Sequence, residues 1–360
     1  MNKEHFDGNV NWITSGELKE HYISDTKEKI SEDAATANNL KLLHPGTFVI
    51  AIYGLEADGV RGTGSITCKE STISQACMAF TQKGDVKNEF LYSWYKKHGN
   101  IIGIKYAQGT KQQNLSYDIL EKFHIAYPSQ DEQDKLIQFI SLLDERIATQ
   151  SKLIEKLESL IKGICNNYFE KLSVQEKAYL IRLSDILKER NEYCCKDGKF
   201  IHGTLSKDGI FPKTGRWDRD FLVKQEDKKY KVTHLDDICY NPANLKFGVI
   251  CRNTFGDLIF SPIYVTFEVC KNVNIGFIEL YLTNHNFIEK VRRFEQGTVY
   301  ERMAVSPEDF LSYKIRIPSY SDQTFFYKKV QWLIKLSQNE MKLLSQYKKL
   351  RQYLLREMFI

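Results

Sequence analysis

Two long helical segments, 190 residues apart in the sequence, constrain the fold of this chain more than any other feature. Residues 128–169 and residues 318–359 align without a gap, and each segment opens with Pro-Ser and contains no later proline. In both, apolar residues recur at alternating steps of three and four, the heptad pattern of a helix that packs along a seam. The chain is therefore predicted to run domain, helix, domain, helix.

The predicted seam has a polar layer at the same place in both copies, Gln150 and Glu340. A buried polar residue at such a position commonly fixes the register of paired helices. An amphipathic helix lying on a domain core is the alternative, but the length and the heptad period favour a coiled coil. The apolar seam residues are Ile140, Leu143, Ile147, Ile154 and Leu157 in the first segment and Val330, Leu333, Leu344 and Tyr347 in the second.

Charge favours pairing of the two helices with each other. Residues 130–172 have 6 basic and 8 acidic side chains, whereas residues 320–360 have 8 basic and 3 acidic ones. Opposite net charges support contact between the helices, although exposed ion pairs are individually weak. Because the linker after the first helix is short, we expect the helices to be antiparallel, with one domain at each end of the pair.

The domains that precede the helices are also similar to each other. Gln108-Gly109-Thr110 matches Gln296-Gly297-Thr298, and residues 46–50 match residues 236–240 in β-rich surroundings. The extended runs 123–127 and 313–317 are predicted to be the last strand before each helix. The predicted fold class is therefore α+β, with two similar mixed α/β domains separated by two long antiparallel helices that form a coiled coil.

Composition excludes several classes of protein. Hydrophobic residues make up 42% of the 360 residues, which is enough for real cores. A net charge of +5 permits a nucleic-acid partner without demanding one. None of the eight cysteines forms a Cys-x-x-Cys pair, so buried free thiols are expected rather than a zinc site. The sequence has neither a secretory signal nor a membrane-spanning run, so the protein is expected to be cytoplasmic and without a membrane partner.

The sequence does not contain a complete catalytic motif. The segment Tyr240-Asn241-Pro242-Ala243 is partly similar to the Asn-Pro-Pro-Tyr motif of adenine methyltransferases. It lacks the aromatic residue at the fourth position of that motif, and no glycine-rich cofactor loop lies upstream. The glycine-rich segment 59–65 lacks the Lys-Ser/Thr of a phosphate-binding loop and is predicted to be a hairpin tip. The histidines are scattered. We therefore predict a protein without catalysis of its own.

A combination of motifs resembles the specificity subunit of type I restriction-modification systems. A proline and then an Asp-Glu-Gln or Asp-Gln run precede each long helix, at 128–133 and 318–323, with Gln-Gly-Thr some twenty residues earlier. Asn11-Trp12-Ile13-Thr14-Ser15-Gly16-Glu17-Leu18 looks like the mid-domain tryptophan motif of that family, and residues 240–242 and 261–264 look like its second-domain equivalents. The resemblance covers nearly the whole chain.

The resemblance implies a division of labour along the chain. Residues 1–128 would be a first target recognition domain, residues 129–172 a first spacer helix, residues 173–319 a second recognition domain and residues 320–360 a second spacer helix. Because residues 179–186 have no counterpart in the first copy, the first domain is expected to be incomplete at its N-terminus.

The resemblance also implies the partners. The two domains would read a bipartite target in double-stranded DNA, while the helices dock methyltransferase subunits and restriction or motor subunits join for cleavage. No cofactor is expected on this chain, and S-adenosylmethionine, ATP and magnesium are expected on the partner subunits. The alternative function is a non-enzymatic coiled-coil adaptor that holds two protein-binding domains, and salt-dependent DNA binding would distinguish the two.

Candidate DNA contacts are basic and amide side chains in loops. Arginine and lysine serve phosphates and guanine edges, and glutamine can read adenine through two hydrogen bonds. A plain solvated loop is the alternative for each, and a solvated helix face is favoured for Lys290, Arg292 and Arg293. The candidates are Arg61, Lys111, Gln112 and Gln113 in the first domain and Lys213, Arg216, Trp217 and Arg219 in the second.

Overall fold

The computed structural model describes residues 6–109, 111–195, 200–213, 229–295 and 303–359. The chain divides into two compact units. Unit 1 consists of Met1–Lys152 together with Met341–Ile360, and unit 2 consists of Leu153–Glu340. Each unit contains mixed helix and sheet and a part of both long helices, so the predicted α+β class is confirmed.

Unit 1 has two small sheets. In the first, the order is β3-β1-β6, and in the second it is β2-β5-β4-β7. The central strand β4 pairs antiparallel with both β5 and β7. The strands are β1 (Val10–Ile13), β2 (Tyr22–Ile23), β3 (Lys29–Ile30), β4 (Phe48–Ala51), β5 (Gly64–Thr67), β6 (Ser71–Ile73) and β7 (Cys77–Phe80).

The core of unit 1 forms between β4 and the helix Asn88–Tyr106. All four residues of β4 are buried, as expected for a strand covered on both faces. The ring of Phe48 contacts the rings of Tyr92 and Tyr95, at centroid distances of 6.0 and 5.9 Å. The helices of this unit are α1 (Glu32–Ala37), α2 (Asn88–Tyr106) and α3 (Tyr117–Leu120).

Unit 2 has a five-stranded sheet of order β10-β13-β16-β11-β12, a four-stranded sheet of order β15-β14-β17-β9, and the pair β18-β8. The strands are β8 (Tyr179–Arg182), β9 (Leu187–Glu189), β10 (Tyr193–Cys194), β11 (Ile201–Ser206), β12 (Gly209–Pro212), β13 (Tyr230–Thr233), β14 (Ile238–Tyr240), β15 (Ile250–Arg252), β16 (Leu258–Phe260), β17 (Val265–Val269) and β18 (Lys314–Ile317). The short helices are α5 (Ile275–Leu282), α6 (His285–Val291) and α7 (Pro307–Ser312).

The two long helices are α4 (Gln130–Val174) and α8 (Tyr320–Met358), close to the predicted 129–172 and 320–360. Within unit 1 they are antiparallel, because Asp144 pairs with Arg351 whereas Arg146, two residues later, contacts Tyr347. In unit 2 the two helices are also in contact, because the ring of Tyr168 stacks on that of Phe326 at 3.8 Å.

A buried glutamine joins the start of α4 to the domain of unit 1. Gln133 is fully buried, and its side-chain oxygen accepts a hydrogen bond of 2.9 Å from the backbone nitrogen of Lys87, the residue before α2. Its side-chain nitrogen donates to the carbonyl oxygens of Asp85 and Pro128. One glutamine therefore satisfies three backbone groups at the base of the helix.

The equivalent glutamine of unit 2 forms two of these three kinds of contact. Gln323 is 2% exposed, accepts a hydrogen bond of 2.9 Å from the backbone nitrogen of Asn274 and donates to the carbonyl oxygen of Pro318. Asn274 immediately precedes α5, as Lys87 precedes α2. The duplication seen in the sequence thus extends to individual buried hydrogen bonds.

One strand prediction is wrong. Residues 313–317 contain β18, which pairs antiparallel with β8, whereas no strand forms at residues 123–127. The physical reason is the missing partner: among the described residues, nothing pairs with the backbone of residues 124–127. An extended segment becomes a strand only when a neighbour completes its hydrogen bonds.

Candidate nucleic-acid interface

The first candidate site lies at the turn between β4 and β5. Gly59 and Gly62 have φ of +76° and +71° there, which only glycine adopts readily, and the predicted hairpin tip is confirmed. Arg61 lies between them. A Cβ at Gly103 of α2 would come within 2.5 Å of Arg61 Cγ, so the arginine packs directly on the helix backbone.

Two of the residues predicted to contact DNA, Arg61 and Gln113, are hydrogen-bonded to each other. Nη2 of Arg61 donates a hydrogen bond of 2.6 Å to Oε1 of Gln113. The backbone nitrogen of Gln113 in turn donates to Oε2 of Glu56 at 2.7 Å. Hydrogen bonds from the backbone of Gln113 and of Glu56 itself, helped by the Arg61 charge, hold the pKa of Glu56 below its ordinary value. A charged carboxylate therefore stands beside the arginine and partly compensates it.

The glycine of the first Gln-Gly-Thr has a structural role. Gly109 has φ of +110°, and a Cβ there would lie 2.0 Å from the carbonyl oxygen of Gln112. The backbones of Gln108 and Asn114 pair across this turn. Lys111 and Gln112 sit at its tip with exposed side chains. Of the four candidates of the first domain, the structure brings Arg61 and Gln113 into contact, and Lys111 and Gln112 directly precede Gln113 in the same turn.

The second candidate site is described only in part. Lys213 is exposed at the end of the β11–β12 hairpin, where its backbone nitrogen donates to the carbonyl oxygen of His202 at 2.7 Å. Arg216, Trp217 and Arg219 lie outside the described residues.

The basic residues at the end of α6 fit a solvated face, as expected. Arg292 donates to Oε1 of Glu289 at 2.8 Å and lies 3.6 Å from Oε1 of Glu295. Its charge is therefore compensated by the helix itself.

The Tyr240-Asn241-Pro242 segment belongs to the core and not to a base-binding pocket. Tyr240 is fully buried in β14, and its hydroxyl donates a hydrogen bond of 3.0 Å to the carbonyl oxygen of Val305. Asn241 accepts a hydrogen bond from the backbone of Ala243 at the start of a short helical turn. The segment has no free aromatic face on which a base could stack.

A polar cluster in unit 2 was not predicted from the sequence. His234 lies between two carboxylates, with Nδ1 at 2.8 Å from Asp257 and Nε2 at 3.0 Å from Glu192. Burial lowers the pKa of His234, but the two hydrogen bonds outweigh burial and raise the pKa above its ordinary value. The three residues are far apart in the chain, so no local pattern could have revealed the cluster. Among the described ranges no group of side chains is arranged to hold a metal ion.

The predicted seam residues of α4 and α8 are all sheltered from solvent. Ile140, Ile154 and Val330 are buried, and the other six are half-buried. Ile140 packs into the core of unit 1 and Val330 into that of unit 2. Gln150 of the polar layer is 3% exposed.

Both long helices also have large apolar side chains exposed, which the seam pattern did not predict. In unit 1 these are Phe139, Leu142, Met341, Leu350 and Tyr353, and in unit 2 they are Leu153, Leu160, Val174, Tyr320, Phe325 and Trp332. Apolar side chains that form a contiguous exposed patch mark interaction sites, whereas single ones are ordinary on a protein surface. None of the helices in the described segments combines the length and apolarity needed to cross a membrane.

Comparison with known proteins shows where these features recur. The family described as type I restriction modification DNA specificity domain matches residues 1–159. The type I restriction enzyme MjaIX specificity subunit of Methanocaldococcus jannaschii is 28% identical over 171 residues, which is 46% of this chain and 38% of that protein. The aligned part therefore spans well under half of the curated relative.

Two solved structures have a similar fold over nearly the whole chain. The type I restriction-modification S subunit from M. genitalium has a TM-score of 0.58 and 18% identity, covering 100% of this chain and 91% of its own. A chain from a structure of complex assembly and conformational transition in the type I R-M system has a TM-score of 0.60 and 12% identity, covering 96% of this chain and 90% of its own. The resemblance inferred from the motifs is confirmed: residues 1–159 match the model of the type I restriction modification DNA specificity domain, and the fold of the chain is similar to that of the two solved structures.

Proposed function

We propose that this protein is the DNA sequence-specificity subunit of a type I restriction-modification complex and reads a bipartite target in double-stranded DNA without catalysis of its own. The match of residues 1–159 to the DNA specificity domain is the observation that carries the proposal. The repeated Gln133 and Gln323 contacts support two equivalent reading units. S-adenosylmethionine, ATP and magnesium would then be used by partner subunits.

In the proposed first reading surface, the loop of Lys111 and Gln112 faces the DNA. Arg61 stiffens this loop through Gln113, because its guanidinium holds the Gln113 side chain. Lys111 contacts a phosphate and Gln112 an adenine edge, since phosphate contacts position a protein and base contacts specify the sequence.

Substitution of these two neighbours tests the assignment. In the complex with its methyltransferase subunits, Lys111→Ala should weaken binding to all sequences alike and reduce the slope of log affinity against log salt by about 1. Gln112→Ala should relax selectivity at one base pair of one half-site, at about 1–3 kcal/mol, with little change in the salt slope. Lys290→Ala, on the face of α6, is the control. Affinity that is independent of salt in the unaltered protein would support the adaptor alternative instead.

The long helices are proposed to dock the methyltransferase subunits through their exposed apolar side chains. Trp332, 65% exposed, and Leu142, 57% exposed, are the strongest candidates in unit 2 and unit 1 respectively. Trp332→Lys should reduce co-purification with the methyltransferase at least tenfold, because large aromatic residues dominate interface energies. Asn339→Lys, exposed on the same helix, should not. Equal recovery of the partner with both variants would contradict docking at this face.

The spacing of the two half-sites is proposed to depend on the helices. Seven residues inserted between Lys156 and Leu157, with a matching heptad in α8, preserve the seam and lengthen the pair by about 10 Å. Methylome sequencing should then show unchanged half-sites separated by about three more base pairs. Altered half-sites with an unchanged spacer would assign base reading to the helices and contradict the proposal.

A further inference from the structure

The turn that follows β4 in unit 1 and β14 in unit 2 is fixed by the same hydrogen bond. In unit 1 the backbone nitrogen of Leu115 donates to the carbonyl oxygen of Ile52 at 2.8 Å. The residues 190 positions later repeat this contact, because the backbone nitrogen of Val305 donates to the carbonyl oxygen of Pro242 at 3.3 Å. Leu115 and Val305 are both fully buried. The start of the turn therefore has the same register in both units against the segment that follows the Gln-Gly-Thr motif.

A buried leucine continues this equivalence into the turn. Leu55 and Leu245 stand at the same position of the repeat, and both are buried. The backbone nitrogen of Leu55 also donates to the carbonyl oxygen of Gln113 at 3.1 Å. The residue directly after the leucine is therefore at an equivalent place in the two units, and it is Glu56 in unit 1 and Lys246 in unit 2.

These two residues have opposite hydrogen-bonding chemistry. Glu56 is exposed, and hydrogen bonds from the backbone of Gln113 and of Glu56 itself keep the pKa of its carboxyl below the ordinary value, so it is a charged acceptor. Lys246 can only donate. Its Nζ lies 5.3 Å from the centroid of the Phe247 ring, which is 65% exposed, so the lysine charge stays at the surface. A shared framework with reversed chemistry at one surface position suits two units that read different sequences.

The carboxylate of Glu56 is oriented by the loop proposed to face DNA. Its Oε2 accepts a hydrogen bond of 2.7 Å from the backbone nitrogen of Gln113, and the side chain of Gln113 is bonded in turn to Arg61. Since a carboxylate has about four lone-pair sites, Oε1 can still accept a hydrogen bond from a ligand. Gln112 directly precedes Gln113. Because base pairs are about 3.4 Å apart, the carboxylate lies within about two base pairs of any base that Gln112 contacts.

The major groove of DNA determines which base suits each side chain. Cytosine presents its N4 amino group there, whereas guanine presents the acceptors N7 and O6 and thymine the acceptor O4. A carboxylate accepts from cytosine N4 and is repelled by the acceptors of guanine and thymine, while a lysine donates to guanine. Adenine offers its N6 amino group beside the N7 acceptor, which repels a carboxylate, so cytosine is the better partner.

We propose that Glu56 and Lys246 are equivalent specificity-determining residues, with Glu56 accepting a hydrogen bond from cytosine N4 in one half-site and Lys246 donating to guanine in the other. This inference rests on the proposed function and adds the base that one position of each unit selects. A carboxylate near phosphates lowers affinity for every sequence, so Glu56 contributes to selectivity by rejecting wrong bases.

Glu56→Gln tests unit 1 without removing the hydrogen bond that holds the turn. The amide oxygen can still accept from the backbone of Gln113, whereas the amide nitrogen offers donors in place of an acceptor. The experiment selects bound duplexes from a randomised pool with the complex of the full chain and its methyltransferase subunits. The preference for C·G over T·A at one base pair should fall about tenfold, because thymine O4 takes the place of cytosine N4. The other positions of the target should not change.

Two further variants sharpen the test. Asp58→Asn, exposed in the same turn, removes the same charge and is the matched control. It should raise affinity for all duplexes as Glu56→Gln does, by up to about threefold at low salt, and leave base selectivity unchanged. Lys246→Gln should lower the preference for guanine over adenine about tenfold at one base pair of the other half-site, because glutamine reads adenine.

Failure of this inference can be distinguished from failure of the proposed function. An unaltered complex without sequence selectivity would overturn both. A selective unaltered complex whose target is the same with Glu56→Gln and with Asp58→Asn would overturn this inference alone, and Glu56 would then only position the turn. Changes at several base pairs, a shift from a base other than cytosine, or effects of Glu56→Gln and Lys246→Gln on the same half-site would contradict it as well.

Discussion

At equivalent positions of the long helices, unit 1 has an ion pair and unit 2 has two isoleucines. Asp144 and Arg351 form a two-pronged contact, with Nη2 of Arg351 at 2.9 Å from Oδ2 of Asp144. The residues 190 positions away are Ile334 and Ile161, and both pack against the core of unit 2. The same pair of positions is therefore charged and paired in unit 1 and apolar and packed on the core in unit 2.

The neighbouring residues account for the ion pair in unit 1 and for the two isoleucines in unit 2. In unit 1 the ring of His21 stacks on that of Tyr92 at 3.9 Å, and its Nε2 lies 2.9 Å from Glu89. Burial raises the pKa of Tyr92 to about 12, so its hydroxyl stays neutral beside the ion pair. The neighbours of Asp144 are thus polar. In unit 2 Glu89 is replaced by Gly276, where a Cβ would lie 2.1 Å from the ring of Tyr327, so an aromatic ring packs directly on the helix backbone.

The largest expected loss of stability concerns the buried glutamine that each unit has near the start of a long helix, Gln133 or Gln323. Gln133→Leu should destabilise unit 1 by about 3 kcal/mol, because three backbone groups lose the hydrogen bonds that they form with this buried side chain. Gln323→Leu removes two such bonds and should destabilise unit 2 by about 2 kcal/mol. Hydrogen exchange resolved by segment measures each unit separately. The exposed Gln138→Leu and Gln338→Leu are matched controls, and equal effects at all four sites would show that the buried bonds are not what the two units have in common.

The ion pair itself should show an intermediate effect. Asp144→Ile alone should destabilise unit 1 by about 1–3 kcal/mol, because it leaves the guanidinium of Arg351 half-buried without its carboxylate. The double variant Asp144→Ile with Arg351→Ile, which copies unit 2, should recover most of that loss. A double-mutant cycle by urea unfolding gives the coupling. Additive losses would indicate that the surroundings, and not the pair, determine the chemistry.

The smallest effect concerns pH and should be confined to unit 2. His234 and His44 are equivalent positions, but His234 is bracketed by two carboxylates whereas the side chain of His44 is 84% exposed. Since the folded state raises the pKa of His234, the stabilisation is present below pH 6.5 and is lost as pH rises through the raised pKa. His234→Gln should flatten this pH dependence, by less than about 1 kcal/mol, and His44→Gln should leave it unchanged. If both variants flatten the pH dependence of stability, the two carboxylates beside His234 are not its cause.

The long helices were predictable because their signals are local. The Pro-Ser start, the absence of later prolines and the heptad pattern all lie within one stretch of chain, and the predicted bounds agree with α4 and α8 to within two residues. Buried free thiols at Cys77, Cys239 and Cys251 also followed from their apolar neighbours.

The features that the sequence did not reveal depend on distant partners. Residues 123–127 have the same strand-like pattern as residues 313–317, but within the described ranges only the second run has a neighbouring strand. Arg61 and Gln113 were separate candidates, and only the folded chain brings them into contact. Gly109 was noted for its motif, and its positive φ explains why that position is glycine.

The composition of unit 1 from residues 1–152 and 341–360 has a consequence for biosynthesis. Phe359 packs on Phe90 at 5.3 Å, and Nζ of Lys97 donates to the carbonyl oxygen of Arg356 at 2.6 Å, so the end of α8 completes a core begun near the start of the chain. At 5–20 residues per second, the ribosome needs roughly 10 to 40 seconds after making residue 152 to supply it. Unit 2 is contiguous and can fold during that interval. The nascent chain should therefore fold its later unit first, and the apolar face of α2 should need chaperone protection until translation ends.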